Sequence, residues 1–249
     1  MNKLIALVFL ALASCAPSAP AYAAPLEELP KIESQMLAPS VQLPSGCSGT
    51  IIRSSRDEKS GDVSTFVLTA KHCIANKPFE RLSISVRNYD EENREVSAIE
   101  YKGKVLGASY KSDLAIIKLD DTDTLFDKVA TVAPEGTEKT LKFGEDVVAV
   151  GYPLGLSQTM TLGTFGRIEV IPAFSSISQS QEFYRSSPDI GPGNSGGGLF
   201  HKNAKGDYEL IGTVTGGPRG MSWLGMFTPI KEINGYLKIA LPAEVKPVK

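Results

Sequence analysis

From Gly46 onward the chain is a series of short β-rich runs, each broken by Gly, Pro, Asn or Asp, and that punctuation leaves few folds open. One set of about six runs covers Gly49–Arg53, Ser64–Thr69, Arg81–Val86, Glu95–Tyr101, Val105–Ala108 and Leu114–Lys118. A second set covers Val147–Val150, Met160–Val170, Glu182–Arg185, Gly198–Phe200, Leu210–Thr215 and Met226–Thr228. Between them Thr131–Thr140, with Pro134, Gly136 and several charges, reads as a linker. Two such groups predict an all-β protein of two six-stranded antiparallel barrels, because closing each sheet removes its exposed edges. The expected organisation is an arm over 24–45, a first barrel over 46–130, a linker over 131–141 and a second barrel with a C-terminal helix over 142–249. For that helix Thr228 is the expected cap and Pro229 fits the first turn, with Ile230, Ile233, Leu237 and Leu241 on one face. No internal sequence repeat is visible.

The first two dozen residues stand apart from the fold. Lys3 precedes nine unbroken apolar residues, Leu4–Leu12, too few to span a bilayer but suited to a secretory signal. Two exits compete. Ala21-Tyr22-Ala23 is a small-x-small cleavage site that would release a soluble protein, making 1–23 the signal peptide. Leu12-Ala13-Ser14-Cys15 resembles a bacterial lipobox, which would remove 1–14 and place an acyl chain on Cys15. The expected location is therefore periplasmic, secreted or tethered to a membrane through Cys15 alone. The six prolines between residues 16 and 45 read as an extended arm. An exported body keeps Cys47 and Cys73, as a disulfide or as two buried thiols, and the oxidising compartment favours the disulfide.

A formal net charge of −2 and the lack of any basic run argue against a nucleic-acid partner. Two His and three scattered Cys, with no CxxC or HExxH, argue against a metal centre, and no cofactor is expected. The chemistry-bearing residues gather at three places. His72 follows the apolar run Thr65–Leu68, where a strand ending abruptly sets an imidazole at a barrel rim. Asp113 leads directly into the apolar strand Leu114–Lys118. Ser195 sits in Gly191-Pro192-Gly193-Asn194-Ser195-Gly196-Gly197-Gly198, where five glycines cost conformational entropy unless backbone must turn tightly. Each feature alone has an ordinary structural reading: a solvated His, a turn Asp, a flexible loop. Together they supply what acyl transfer needs: a nucleophile, a base to take its proton and a carboxylate to hold the base. The N–H groups of Gly193 and Ser195 are the expected oxyanion donors.

These segments resemble the chymotrypsin-like, or trypsin-like, serine proteases, and within them the bacterial HtrA/Deg branch. The resemblance is carried by Cys47-Ser48-Gly49-Thr50-Ile51-Ile52, Thr69-Ala70-Lys71-His72-Cys73, Ser112-Asp113-Leu114-Ala115 and Gly193-Asn194-Ser195-Gly196-Gly197. Val148-Ala149-Val150-Gly151-Tyr152-Pro153-Leu154-Gly155-Leu156 adds a stretch of the HtrA kind. It implies a catalytic triad of His72, Asp113 and Ser195, a Cys47–Cys73 disulfide beside the histidine, and polypeptide substrates. Asn194 stands where digestive members carry the Asp that pairs with a freed N-terminus, so activation by that route is not implied. No PDZ domain is expected after the helix, and the oligomeric state stays open.

The resemblance implies a specificity pocket lined by the segment before the serine and by Val214-Thr215-Gly216-Gly217 and Leu224-Gly225-Met226-Phe227. Thr215, Gly216, Gly217 and Gly225 are the expected wall. Asp189, six residues before Ser195, stands where trypsin-like enzymes keep the acid that selects Arg or Lys. The competing reading is a solvated loop carboxylate beside Pro188, with an open pocket that takes aliphatic or aromatic side chains. Tyr184, His201 and Trp223 read as core or surface residues. Two other functions share these features: a catalytically silent binding or chaperone protein on the same fold, and an esterase acting on small acyl groups.

Overall fold

The structure, a computed structural model, describes residues 26–74, 81–172, 179–218 and 220–241. The first barrel comprises β1 (Ser40–Gln42), β2 (Ser48–Arg56), β3 (Val63–Ala70), β4 (Arg81–Tyr89), β5 (Glu95–Ser109) and β6 (Leu114–Leu119). The second comprises β7 (Asp146–Gly151), β8 (Thr159–Ile171), β9 (Gln181–Ser186), β10 (Gly198–Lys202), β11 (Tyr208–Gly216) and β12 (Gly225–Pro229). Both sheets close, in the orders β1-β2-β3-β6-β5-β4 and β10-β11-β12-β9-β8-β7. Traced the other way round, the second order is the first shifted by six strands. The two barrels therefore share one connectivity without a visible sequence repeat.

Strands β3 and β6 explain why the barrels stay together. β6 is almost wholly apolar and β3 almost wholly buried, and successive side chains leave a strand on opposite faces. Val67, Ala115 and Ile117 point into the first barrel's core with Val41, Ile51 and Ile84. Phe66, Leu68, Leu114 and Ile116 point the other way and join the core of the second barrel, with Leu199, Phe200, Val214 and Phe227. A strand buried on both faces reads as a continuous apolar run, not an alternation.

Local expectations and structure differ at four points. The runs Glu95–Tyr101 and Val105–Ala108 are one continuous strand, β5. The sixth strand of the first barrel comes from the Pro-rich arm, where Ser40–Gln42 pairs with both β2 and β4 and so closes the sheet. The arm is also not extended before that: residues 26–37 form successive helical turns that bury Ile32 and Met36 in the second barrel's core. Burying such side chains contributes roughly 1.5–3 kcal/mol each, more than the surface pairs Lys31–Asp207 (2.9 Å) and Lys202–Glu28 (2.6 Å) that flank them. Finally, the C-terminal helix runs Ile230–Ala240 with Pro229 as an N-cap that makes no side-chain bond, and Thr228 does not cap it. Its predicted apolar face holds, with Ile230, Ile233, Leu237 and Leu241 all buried.

The stretch between the barrels is stitched to both: Ala130 N–H donates to the Ile51 carbonyl and Ala133 N–H to the Leu210 carbonyl. The leader and Cys15 lie outside the described residues. Among the described residues no helix is long and apolar enough to cross a membrane.

Candidate active site

Register brings the first two site residues together across 41 positions of sequence. β3 and β6 are antiparallel neighbours with Ala70 opposite Leu114, so the residues just after Ala70 and just before Leu114 emerge at the same rim. Lys71 N–H donates to the Asp113 carbonyl at 2.9 Å, locking the two turns. The Asp113 side chain is fully buried. Its Oδ1 accepts the His72 backbone N–H at 3.0 Å, and its Oδ2 lies 2.7 Å from His72 Nδ1. With Nδ1 turned to the carboxylate, the imidazole ring is still about a third exposed.

The Ser195 segment is two successive β-turns. Asn194 N–H donates to the Gly191 carbonyl (3.1 Å) and Gly197 N–H to the Asn194 carbonyl (2.9 Å), with left-handed Gly193 (φ +98°) and Gly196 (φ +84°) at the third positions. A β-carbon on Gly196 would sit 2.2 Å from both the Ser48 carbonyl oxygen and Thr69 Oγ1, so glycine is required by close approach as well as by φ. Ser195 is half-buried, and its carbonyl accepts the Ser48 N–H at 2.8 Å. Among the described residues neither the Gly193 nor the Ser195 N–H meets an acceptor.

Several hydroxyls that hold this arrangement are not legible in the sequence. Ser48 Oγ donates to the Gly193 carbonyl (2.8 Å) and accepts the Tyr152 N–H (2.8 Å), while its own carbonyl accepts Thr69 Oγ1 (2.7 Å). One serine of the first barrel thus ties together three segments. Thr215 Oγ1 donates to Thr228 Oγ1 (2.9 Å), which donates to the Ser112 carbonyl (3.0 Å). The second barrel thereby clamps the peptide just before Asp113. Burial pushes the Tyr152 phenol above its ordinary range, so it stays a donor to the Ser40 carbonyl. A Ser or Thr in a β-run carries no sign of which distant carbonyl it will meet, and only the packing of two barrels reveals it.

Cys47 and Cys73 form a disulfide across 26 residues, with Cα atoms 5.9 Å apart. Cys73 Sγ lies 3.4 Å from the Ser195 carbonyl oxygen, so the bridge packs between the histidine turn and the serine loop. Replacing both cysteines by Ala is expected to lower stability by about 3 kcal/mol in the chain-entropy picture, or roughly 6–12 °C in Tm. Calorimetry on wild type and double variant measures this. Equal melting temperatures, or two free thiols in protein collected from the oxidising compartment, would contradict it.

A cleft of about 530 Å³ opens beside Ser195, lined also by Ile190, Gly191, Pro192, Gly216, Gly217 and Met221. Of the expected pocket residues, Gly216 and Gly217 line it, whereas Asp189, Thr215 and Gly225 do not. Thr215 is turned toward Thr228, and Gly225 lies behind, where a β-carbon would strike the Phe227 ring at 2.6 Å. Asp189 is exposed, and its carboxylate accepts Ser222 Oγ at 2.9 Å. The backbone explains the swap: the Asp189 carbonyl accepts Thr161 Oγ1 (2.8 Å) and Ile190 N–H donates to the Ser222 carbonyl (2.9 Å). That turns Ile190 inward, within 3.8 Å of where a Gly217 β-carbon would lie. Tyr184 is buried edge-on to Phe165, His201 is buried with Nδ1 3.0 Å from Glu145, and Trp223 is exposed.

Residues 47–212 match the trypsin-like peptidase domain family. The chain belongs to that family. This peptidase domain is 31% identical over 166 residues to the serine protease Do-like HtrA of Bacillus subtilis, covering 61% of the chain and 33% of the relative. It is 29% identical over 219 residues to a DegP-like protein of Pseudomonas fluorescens named a probable periplasmic serine endoprotease, covering 86% of the chain and 42% of the relative. The chain therefore spans about a third to two-fifths of the length of these relatives. Among solved structures, an inactive form of the Rv3671c protease of M. tuberculosis superposes with a TM-score of 0.61 at 20% identity, covering 86% of this chain and 93% of that one. The HtrA-type protease AlgW with a tripeptide gives 0.61 at 21% identity, covering 84% and 62%. At such identities the superpositions speak for the fold of the peptidase domain.

Proposed function

We propose that the chain is an exported serine endopeptidase that hydrolyses peptide bonds through an acyl-enzyme. Ser195 Oγ attacks the scissile carbonyl while His72 Nε2 takes its proton, and the Gly193 and Ser195 N–H groups receive the charge on the carbonyl oxygen. His72 then gives that proton to the departing amine, leaving an ester on Ser195. Water, deprotonated by the same nitrogen, releases the acid and restores the serine. Asp113 keeps the imidazole in the required tautomer. The observation that carries this reading is the buried Asp113 carboxylate, both of whose oxygens are engaged by His72, 2.7 Å to Nδ1 and 3.0 Å to the backbone N–H. The leader and the periplasmic names of the relatives support export.

A cleft with Ile190, Met221 and four glycines in its lining suits an apolar P1 side chain. The proposed preference is aliphatic or aromatic. A fluorophosphonate probe should label the wild type and not Ser195→Ala, and digestion of a mixed peptide library should then show cleavage after apolar residues. No labelling, or hydrolysis of small esters without any peptide cleavage, would sink the endopeptidase reading. Asp189→Ser should leave the P1 profile within about twofold, because an exposed carboxylate in high dielectric discriminates weakly. A selective loss of cleavage after Arg and Lys would return Asp189 to the pocket. EDTA should not change the rate, since no step above uses a metal.

A further inference from the structure

Among the described residues three non-glycine residues have left-handed backbone: Asn93, Asp113 and Leu154. Asn and Asp visit that region readily, whereas a leucine does so only under constraint. Leu154, at φ +57°, lies in the turn after β7, and the residue is 69% exposed, so core burial does not offset the strain. What the turn accomplishes is a backbone contact. Leu154 N–H donates to the Pro192 carbonyl at 2.6 Å. The turn lies flat against that peptide: a β-carbon on Gly193 would come within 2.5 Å of the Tyr152 carbonyl oxygen and 2.6 Å of Leu154 N.

In a trans peptide the C=O and N–H point in opposite directions. Holding the Pro192 oxygen toward Leu154 therefore directs the Gly193 N–H away from that turn, and among the described residues no acceptor meets it. Left alone, the central peptide of a Pro-Gly turn can rotate, because glycine tolerates both signs of φ. Rotation would exchange donor and acceptor and present a carbonyl oxygen where a developing oxyanion needs an N–H. We propose that Leu154 is a positioning residue: its strained N–H pins the Pro192–Gly193 peptide so that the Gly193 donor stays aimed at the reacting carbonyl. This rests on the acyl-transfer reading above. Strain held at a functional turn by surrounding contacts is an arrangement other sites also use.

The test separates backbone from side chain. Leu154→Asn keeps the N–H and adopts left-handed backbone more easily than leucine, but is polar. Leu154→Val keeps apolar character, but its β-branch disfavours that backbone and should pull the N–H off the Pro192 carbonyl. The full chain carrying each change is reacted with a small fluorophosphonate, and kcat and KM are measured on a peptide substrate. Leu154→Asn is expected within about threefold of wild type. Leu154→Val is expected to lose ten- to a hundredfold in labelling rate and kcat, approaching the loss typical of one missing oxyanion donor, with KM within about twofold and the melting temperature unchanged. The reverse ranking, valine active and asparagine impaired, would overturn the proposal and assign the effect to the exposed apolar side chain. Equal rates in all three would overturn it too. A wild-type protein that never labels would instead bring down the acyl-transfer reading, and this inference with it.

Discussion

Ser195→Ala and His72→Ala are each expected to abolish peptide hydrolysis while leaving the protein folded. Both side chains are only half-buried, and neither anchors a core cluster, so truncation should cost little stability. Groups that act as one unit lose their joint effect once either is gone, so the double variant should be scarcely slower than a single one. Asp113→Asn should cost roughly 10⁴-fold in kcat, because an amide nitrogen facing His72 Nδ1 forces the wrong tautomer. Asn also tolerates the φ of +52° at this position, so the fold should survive the change. Steady-state kinetics with a melting curve on each variant checks all three. Turnover near wild type in any folded variant would break the assignment of Ser195, His72 and Asp113 as a triad.

Gly196→Ala should cost both stability and activity. The added carbon would approach the Ser48 carbonyl oxygen and Thr69 Oγ1 to 2.2 Å, and these belong to the rigid first barrel. Overpacking of that kind costs about 1–3 kcal/mol, and left-handed backbone in a residue with a β-carbon adds roughly 1–2. Relief requires the serine loop to move away from the first barrel, which breaks the Ser48 N–H to Ser195 carbonyl bond and displaces Ser195. Both a lower denaturation midpoint and lost fluorophosphonate labelling are expected. Gly61→Ala, also left-handed (φ +79°) but with open space around the site of its β-carbon, is the control for backbone strain alone. If the two variants behave alike, close approach is not what Gly196 provides.

The amino-acid sequence by itself determined what local physical chemistry can determine. The rhythm of β-rich runs and breakers specified two closed antiparallel barrels, because closure removes the exposed edges of so many short strands. The Pro192-Gly193 and Ser195-Gly196 pairs specified two tight turns, because only glycine takes left-handed backbone without strain at those positions. The types and surroundings of His72, Asp113 and Ser195 pointed to acyl-transfer chemistry, and the expectation of an oxidising compartment pointed to the bridge between Cys47 and Cys73. The tertiary structure decided which segments meet. Ser40–Gln42 is too short and too flanked by prolines to announce itself, and it is a strand only because β2 and β4 leave a gap that it closes. Register across β3 and β6 carries His72 to Asp113, and no window of sequence contains both. Whether Asp189 or Ile190 faces the cleft depends on two hydrogen bonds to Thr161 and Ser222, residues some thirty positions away on either side. Thr228 and Ser48 likewise became clamps through carbonyls on distant turns. Periodicity reports how a residue faces its own strand; partner choice is settled by long-range packing, which no local pattern encodes.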